Sequence, residues 1–309
     1  MRTEILVTGG YGMLGRTLQK FAPQAIFLSR RDCDLRNVGE VDRLFEKLKP
    51  ERVLHLAARV GGVKTNAERN ADLLAENVQI NVNVLATAHK HRVGHLISLL
   101  SSCAFPPRQD LPATEDDVHA GLPFAGNMGY GYAKRLLDIQ TRLLHEQHGC
   151  RFTTLTPVTM YGPHDNWDLG DGHVLSALVH KCFLAKRDGT PLEVWGSGRP
   201  VRQFIFVEDV ARFLLQALDR TDDPETVILA PDDGITIREL AQEIAQVMGF
   251  QGSLVFNTEK PEGQLIKVLK SKRFPKLYPD FSFTPLPEGL RDTAAWFEAH
   301  HHEFMLEAS

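Results

Sequence analysis

Cysteine is scarce in this 309-residue chain: Cys33, Cys103, Cys150 and Cys182 stand far apart, and none forms the short-spaced pairs that hold zinc. That usage reads as a reduced, cytoplasmic protein. No apolar run approaches ~18 residues, so no membrane span is expected. There is no basic run, and the formal net charge is -4, which argues against nucleic acid as a partner. No basic-then-apolar leader precedes the first strand. Internal repeats and low-complexity segments are missing as well. The triplet His300-His301-His302 reads as the solvated end of a last helix, so no metal is expected. What remains is a composition of 43% hydrophobic and 24% charged residues, ordinary for a globular enzyme and long enough for two domains.

The chain opens on a buried strand, Glu4-Ile5-Leu6-Val7-Thr8, that runs into Gly9-Gly10-Tyr11-Gly12-Met13-Leu14-Gly15 and then an apolar-periodic helix to about Phe21. The glycines fit Gly-x-Gly-x-x-Gly at Gly10, Gly12 and Gly15, and Gly-x-x-Gly-x-x-Gly at Gly9, Gly12 and Gly15. Both patterns meet the same demand: a tight turn, close backbone approach to a pyrophosphate, and a helix N-terminus aimed at the anion. The second strand, Ala25–Leu28, ends in Ser29-Arg30-Arg31. An acidic residue there would suit a free ribose 2'-hydroxyl, whereas two arginines suit a 2'-phosphate, so NADP(H) is expected over NAD(H). Asp34 and Leu35 just beyond, and Leu56-Ala57-Ala58 at the end of the third strand, complete the expected cofactor wall.

Strands at about 52–58, 95–100 and 152–155 alternate with helices at about 38–49, 70–92 and 130–148. That rhythm implies right-handed crossovers and a parallel sheet covered on both faces. The expected fold is α/β: a doubly wound parallel sheet (Rossmann-type) with a second, smaller, discontinuous α/β substrate lobe. The expected boundaries are 1–163 with a return segment at about 201–222 for the cofactor domain, and 164–200 with 223–309 for the lobe. Ligands in such sheets bind beyond the carboxyl ends of the strands, where the loops after Leu100 and Leu155 lie. Tyr130 and Lys134, four apart, share a helix face, an arrangement suited to a polarised phenol that gives a proton. An exposed pair at chance spacing is the competing reading. Ser101 belongs at the same mouth, where its hydroxyl could bond a substrate oxygen.

The glycine loop, Ser101 and Tyr130-x-x-x-Lys134, in that order, resemble the extended short-chain dehydrogenase/reductases that act on nucleotide sugars. His55–Gly62, Ser101-Ser102-Cys103, Tyr161–Asn166, Gly172-His173-Val174 and Val194–Gly198 resemble the GDP-L-fucose synthase family in particular. The sequence departs from that family's pattern at Pro157-Val158-Thr159, where Pro-Thr-Asn is usual. The resemblance implies epimerisation at C3 and C5 of GDP-4-keto-6-deoxy-D-mannose, followed by NADPH-dependent reduction at C4. It implies Cys103 as base and His173 as acid for the first stage. For the second it implies Tyr130 as proton donor, Lys134 lowering the tyrosine's pKa and holding the cofactor ribose, and Ser101 orienting the 4-oxo group. Lys181, Trp195, Arg202 and Lys267 fall where the family contacts GDP. The resemblance also implies a homodimer through a four-helix contact made by the helices near 70–92 and 130–148. Two other readings are open to the same fold: a nucleotide-sugar 4-epimerase or dehydratase, and a non-enzymatic NADP(H)-binding sensor.

Overall fold

The computed structural model describes residues 4–107, 112–220, 224–231, 234–260 and 262–305. Its first half alternates strand and helix: β1 (Ile5–Thr8), α1 (Met13–Phe21), β2 (Ile26–Leu28), α2 (Val38–Leu48), β3 (Arg52–His55), a short α3 (Val63–Glu68), α4 (Asn70–Lys90), β4 (His95–Leu99), α5 (Met128–His148) and β5 (Phe152–Pro157). The second half adds β6 (Thr159–Tyr161), α6 (Val174–Asp188), β7 (Leu192–Trp195), β8 (Val201–Arg202), β9 (Phe204–Phe206), α7 (Val207–Arg220), β10 (Val227–Leu229), β11 (Ile235–Thr236), α8 (Ile237–Val247), β12 (Leu254–Asn257), β13 (Ile266–Lys267), α9 (Phe274–Leu277) and α10 (Leu286–Met305).

Six strands form one parallel sheet in the order β10-β5-β4-β3-β1-β2. β1, β4 and β5 are buried along their whole length, as strands covered on both faces must be. Their side chains alternate between two cores. Ile5, Val7, Leu54, Ile97 and Leu99 face the core shared with α1 and α7, while Leu6, Val53 and Leu96 face the one shared with α2, α4 and α5. A third core, centred on Trp167, Leu178, Val194, Leu240 and Phe297, belongs to the second half. His300 and His301 join it from α10. The His300 ring stacks on Trp296 at 4.3 Å, and His301 lies 4.4 Å from Phe183.

The return to the sheet differs from the sequence expectation. Phe204–Phe206 does not enter the main sheet but pairs with Thr159–Tyr161 in a separate two-stranded ribbon. The strand that returns is Val227–Leu229, beyond the expected 201–222 segment, and it pairs with β5. Both stretches are short apolar runs, and periodicity cannot tell which of two such runs pairs with a given edge.

At the carboxyl end of β3, His55 is 2% exposed. Its Nδ1 lies 2.8 Å from Thr8 Oγ1 and its Nε2 lies 3.2 Å from Asn81 Oδ1. A neutral ring satisfies both contacts, with Thr8 donating to Nδ1 and Nε2–H donating to Asn81. Burial, helped by the Lys134 charge, pushes its pKa down to about 3. Between about 3 and the ordinary ~6.5, the unfolded chain binds a proton here that the folded one does not. Stability should therefore fall as pH drops through that window, by at most ~1.4 kcal/mol per pH unit from this group. Urea titrations from pH 7 to 4 should show the slope in the wild type and a shallower one in His55→Gln. Equal slopes would show that His55 is not buried neutral.

Candidate active site

One cavity of about 1490 Å³ opens over the carboxyl ends of β1, β3, β4 and β5, between the sheet and the second half of the chain. It exceeds the ~300–1,000 Å³ typical of a single small-molecule site, leaving room for a dinucleotide and a second ligand. Gly9, Tyr11, Gly12, Met13, Leu14, Gly15, Arg30, Asp34, Leu35, Leu56, Ala57 and Ala58 line one end. Ser101, Cys103, Tyr130, His173, Lys181, Trp195, Arg202 and Lys267 line the rest. Gly10, Arg31 and Lys134 are not on the wall. A Cβ on Gly10 would lie 2.6 Å from Phe27 Cβ, so this glycine faces β2. Arg31 is exposed, and Lys134 lies beneath the surface, 4% exposed.

The glycine loop is shaped by two different demands. A Cβ on Gly15 would lie 2.5 Å from the Gly9 carbonyl, so protein packing requires glycine there. A Cβ on Gly12, the N-cap of α1, would meet only that carbonyl, at 3.6 Å. What needs a bare backbone at Gly12 is therefore the space in front of it, where an anion can sit against the helix N-terminus. Arg36 was not anticipated from sequence. It lines the cavity and grips Asp34 through two nitrogens (2.9 and 2.6 Å), which holds that carboxyl down at about 2. The available signal was a third arginine just past Asp34. Its effect is to cancel a negative charge next to Arg30.

The start of α5 lies directly against the turn after β4. A Cβ on Gly131 would lie 2.6 Å from the Cys103 carbonyl, so only glycine lets the helix come this close. Arg135 reinforces the contact by donating to the carbonyls of Ala104 and Gly121. Ser101 Oγ accepts from the Cys103 N–H at 3.2 Å and lies beside the Tyr130 phenol. Burial, and then the negative charge at Cys103, push the Tyr130 pKa above its ordinary value, against the opposing pull of the Ser101 hydroxyl. The sequence reading had Lys134 lowering that value. Here Lys134 Nζ donates to the Leu99 carbonyl at 2.7 Å and stands 5.7 Å from the phenol ring centroid, and burial brings its own pKa down to about 8.

Cys103 and His173 carry opposite tendencies. Burial pushes the Cys103 thiol up, but the Lys267 ammonium, the Ser101 hydrogen bond and the His173 charge outweigh it and leave the pKa below its ordinary value. Lys267 Nζ donates to Cys103 Sγ at 3.2 Å. His173 is the N-cap of α6, its side chain 44% exposed toward the cavity. Asp165 Oδ1 stands 3.8 Å from its Nδ1 and raises the imidazole pKa. Asp165 was also missed as a functional residue, although it sits inside the quoted Tyr161–Asn166 block. At the far end, Lys181 Nζ lies 4.3 Å from the Trp195 ring centroid and 3.4 Å from Glu193, and Arg202 donates to the carbonyls of Val201 and Gln264. Around one void the chain thus sets a thiol biased to ionise, an imidazole biased to hold its proton and a phenol biased to stay neutral. Groups whose environments push their pKa values apart divide acid from base work.

The model of the NAD dependent epimerase/dehydratase family matches residues 5–230. The chain belongs to that family. Within it, the GDP-L-fucose synthase of Dictyostelium discoideum is 38% identical, covering 96% of this chain and 95% of its own. The GDP-L-colitose synthase of Yersinia pseudotuberculosis is 28% identical over 95% and 97%. Among solved structures, a Naegleria fowleri GDP-L-fucose synthetase bound to NADP superposes with a TM-score of 0.89 at 36% identity, covering 97% of this chain and 94% of that one.

Asp165→Asn should lower the His173 pKa toward that of a free imidazole, because the carboxylate is its main support. An NMR titration of the histidine ring signals reads this directly. An unmoved His173 resonance would mean that Asp165 does not set its charge.

Proposed function

We propose that the chain converts GDP-4-keto-6-deoxy-D-mannose to GDP-L-fucose, by epimerisation at C3 and C5 and NADPH-dependent reduction at C4. The observation that carries this reading is the opposed bias of Cys103 and His173 in one cavity with a neutral Tyr130. The 4-ketone acidifies the C–H bonds on both sides of it. Cys103 as thiolate takes one proton, S–H forms, and the C–H electron pair moves onto the C4 oxygen as an enolate. His173 as imidazolium returns a proton to the carbon from the opposite face. Solvent exchange then resets both groups for the second centre. Each proton transfer by a positioned group contributes ~10²–10⁴-fold.

The glycine loop, the N-terminus of α1, Arg30 with the neutralised Asp34, and Leu35 fit a dinucleotide phosphate, and Leu56, Ala57 and Ala58 form its apolar side. When bound, NADPH supplies the hydride for C4. Tyr130, kept protonated by burial, gives its hydroxyl proton to the C4 oxygen while Ser101 orients that oxygen. Lys134, just beneath the wall beside Tyr130, would hold the cofactor ribose. Lys181, Trp195 and Arg202 face the GDP moiety, with the Trp195 ring as a stacking surface for the base. The domain division proposed is 1–163 with a returning segment for the cofactor, and the remainder for the sugar nucleotide. A cytoplasmic setting suits a site built on a free thiol.

With NADPH and the keto sugar, product analysis by mass and NMR should give GDP-L-fucose, and NADH should serve poorly. A 3,6-dideoxy product from the corresponding keto sugar, with no turnover of the fucose precursor, would instead favour a colitose-type enzyme. Net NADPH consumption separates both from a 4-epimerase that recycles bound NAD. Tyr130→Phe should lower reduction ~10²–10⁴-fold while C3 and C5 still exchange with deuterated solvent. Cys103→Ser should stop that exchange with cofactor binding intact. Exchange at wild-type rates in Cys103→Ser would sink the assignment.

A homodimer through α4 and α5 is part of the proposal. The outer face of α5 exposes Tyr132, Leu136, Ile139 and Leu143, and α4 exposes Leu74 and Val82. The spacing on α5 is one helix face, as a partner helix pair would require. Light scattering should give twice the 34.6 kDa chain mass, and Leu136→Glu with Leu143→Glu should halve it. A wild-type monomer would overturn this part.

A further inference from the structure

Lys267 falls where the family resemblance implies a GDP contact, yet its ammonium is turned to a different partner. Nζ donates to Cys103 Sγ at 3.2 Å, and no carboxylate among the described residues lies within ion-pair distance of it. The backbone on both sides of Lys267 is hydrogen-bonded. β13 pairs in parallel with β8, Lys267 opposite Arg202. Two residues on, both backbone groups of Leu269 are taken by the buried Gln203 amide, at 2.8 and 3.0 Å. On the other side, Ala113 N–H donates to the Val268 carbonyl and the Lys270 N–H donates to the Ala113 carbonyl.

We propose that Lys267 is the positioning residue for the epimerisation base, its ammonium seated on the Cys103 sulfur where it stabilises the thiolate. The groups around the sulfur are consistent with this. His173 arrives from α6, Tyr130 and Lys134 from α5, Arg202 from β8 and Ser101 from the turn itself. Among the described residues, only Lys267 puts an ammonium within hydrogen-bond distance of Sγ. Burial chiefly keeps the Tyr130 phenol protonated, and negative charge on the Cys103 sulfur adds to it. The inference rests on the proposed epimerase reading for its consequence in catalysis, but the thiolate itself is testable without any sugar.

The experiment is alkylation of the enzyme by iodoacetamide from pH 5 to 10, with the Cys103 peptide followed by mass spectrometry. Cys33 and Cys182 are buried and pushed up to about 11, so they stay silent at neutral pH. In the wild type the Cys103 midpoint should lie below the ~8.5 of a free thiol. In Lys267→Met it should move up, slowing the reaction at pH 7 by roughly tenfold for each pH unit of displacement. Lys267→Arg, still cationic, should titrate closer to the wild type than Lys267→Met does. NADPH binding checks that each variant is folded, and Lys267→Gln replaces Lys267→Met if the latter is not. The pH profile of solvent deuterium exchange at C3 and C5 should shift in parallel.

A wild-type midpoint in Lys267→Met would overturn the inference, as would a higher KM for the GDP sugar with the thiol titration unchanged, the signature of a simple diphosphate contact. The two proposals fail separately. A shifted thiol with no exchange at C3 and C5 in any variant would leave the ion pair standing and remove the epimerase reading. Exchange that ignores Lys267 would do the reverse.

Discussion

The site depends on how closely the first turn of α5 approaches the Ser101–Cys103 turn at the end of β4. Gly131 removes the side chain that would collide with the Cys103 carbonyl, and Arg135 pins the same turn through the Ala104 carbonyl. That contact places Tyr130 next to Ser101 and buries it. Burial then does what a nearby lysine would not: it keeps the phenol a proton donor. Lys134, lodged at the carboxyl end of the central strand β4 on the Leu99 carbonyl, is better placed to present charge from below than to strip the tyrosine of its proton.

The second half of the chain completes the arrangement from the opposite side. Its own core positions α6, and so His173 at the α6 N-terminus, and the β8–β13 pair positions Lys267 and Arg202. The two halves also touch across the cavity mouth, where the Gly62 N–H donates to Asp171 at 2.8 Å. Two contacts of opposite sense follow, the Lys267 ammonium on the Cys103 sulfur and the Asp165 carboxylate beside His173. The first favours loss of a proton and the second favours keeping one, and a stereochemical inversion needs one group ready to take a proton and another ready to give it.

Much of this was legible in the order of residues. The glycine loop, the strand–helix alternation and the Tyr130–Lys134 spacing are local patterns, and local geometry sets them: a turn, a period, a helix face. The family-specific blocks located Cys103, His173 and Trp195, and the resemblance implied Arg202 as well; all four line the cavity. Two adjacent arginines after β2 were also visible, although only Arg30 reaches the wall and the unanticipated Arg36 does the charge balancing with Asp34.

The tertiary structure alone decided the rest. Which apolar run would return to the sheet was settled by edge pairing, in favour of Val227–Leu229 over Phe204–Phe206. The direction of the Tyr130 shift was settled by burial, a property of the whole neighbourhood rather than of a four-residue spacing. The partner of Lys267 was settled by a contact between residues 164 positions apart, and no period or motif encodes such a distance. The sequence by itself determined which chemical groups are available and the α/β rhythm that carries them. Only the packing of the sheet and the second half around one cavity decided how their charges are biased, because a pKa answers to solvent exclusion and to charges brought in from elsewhere in the chain.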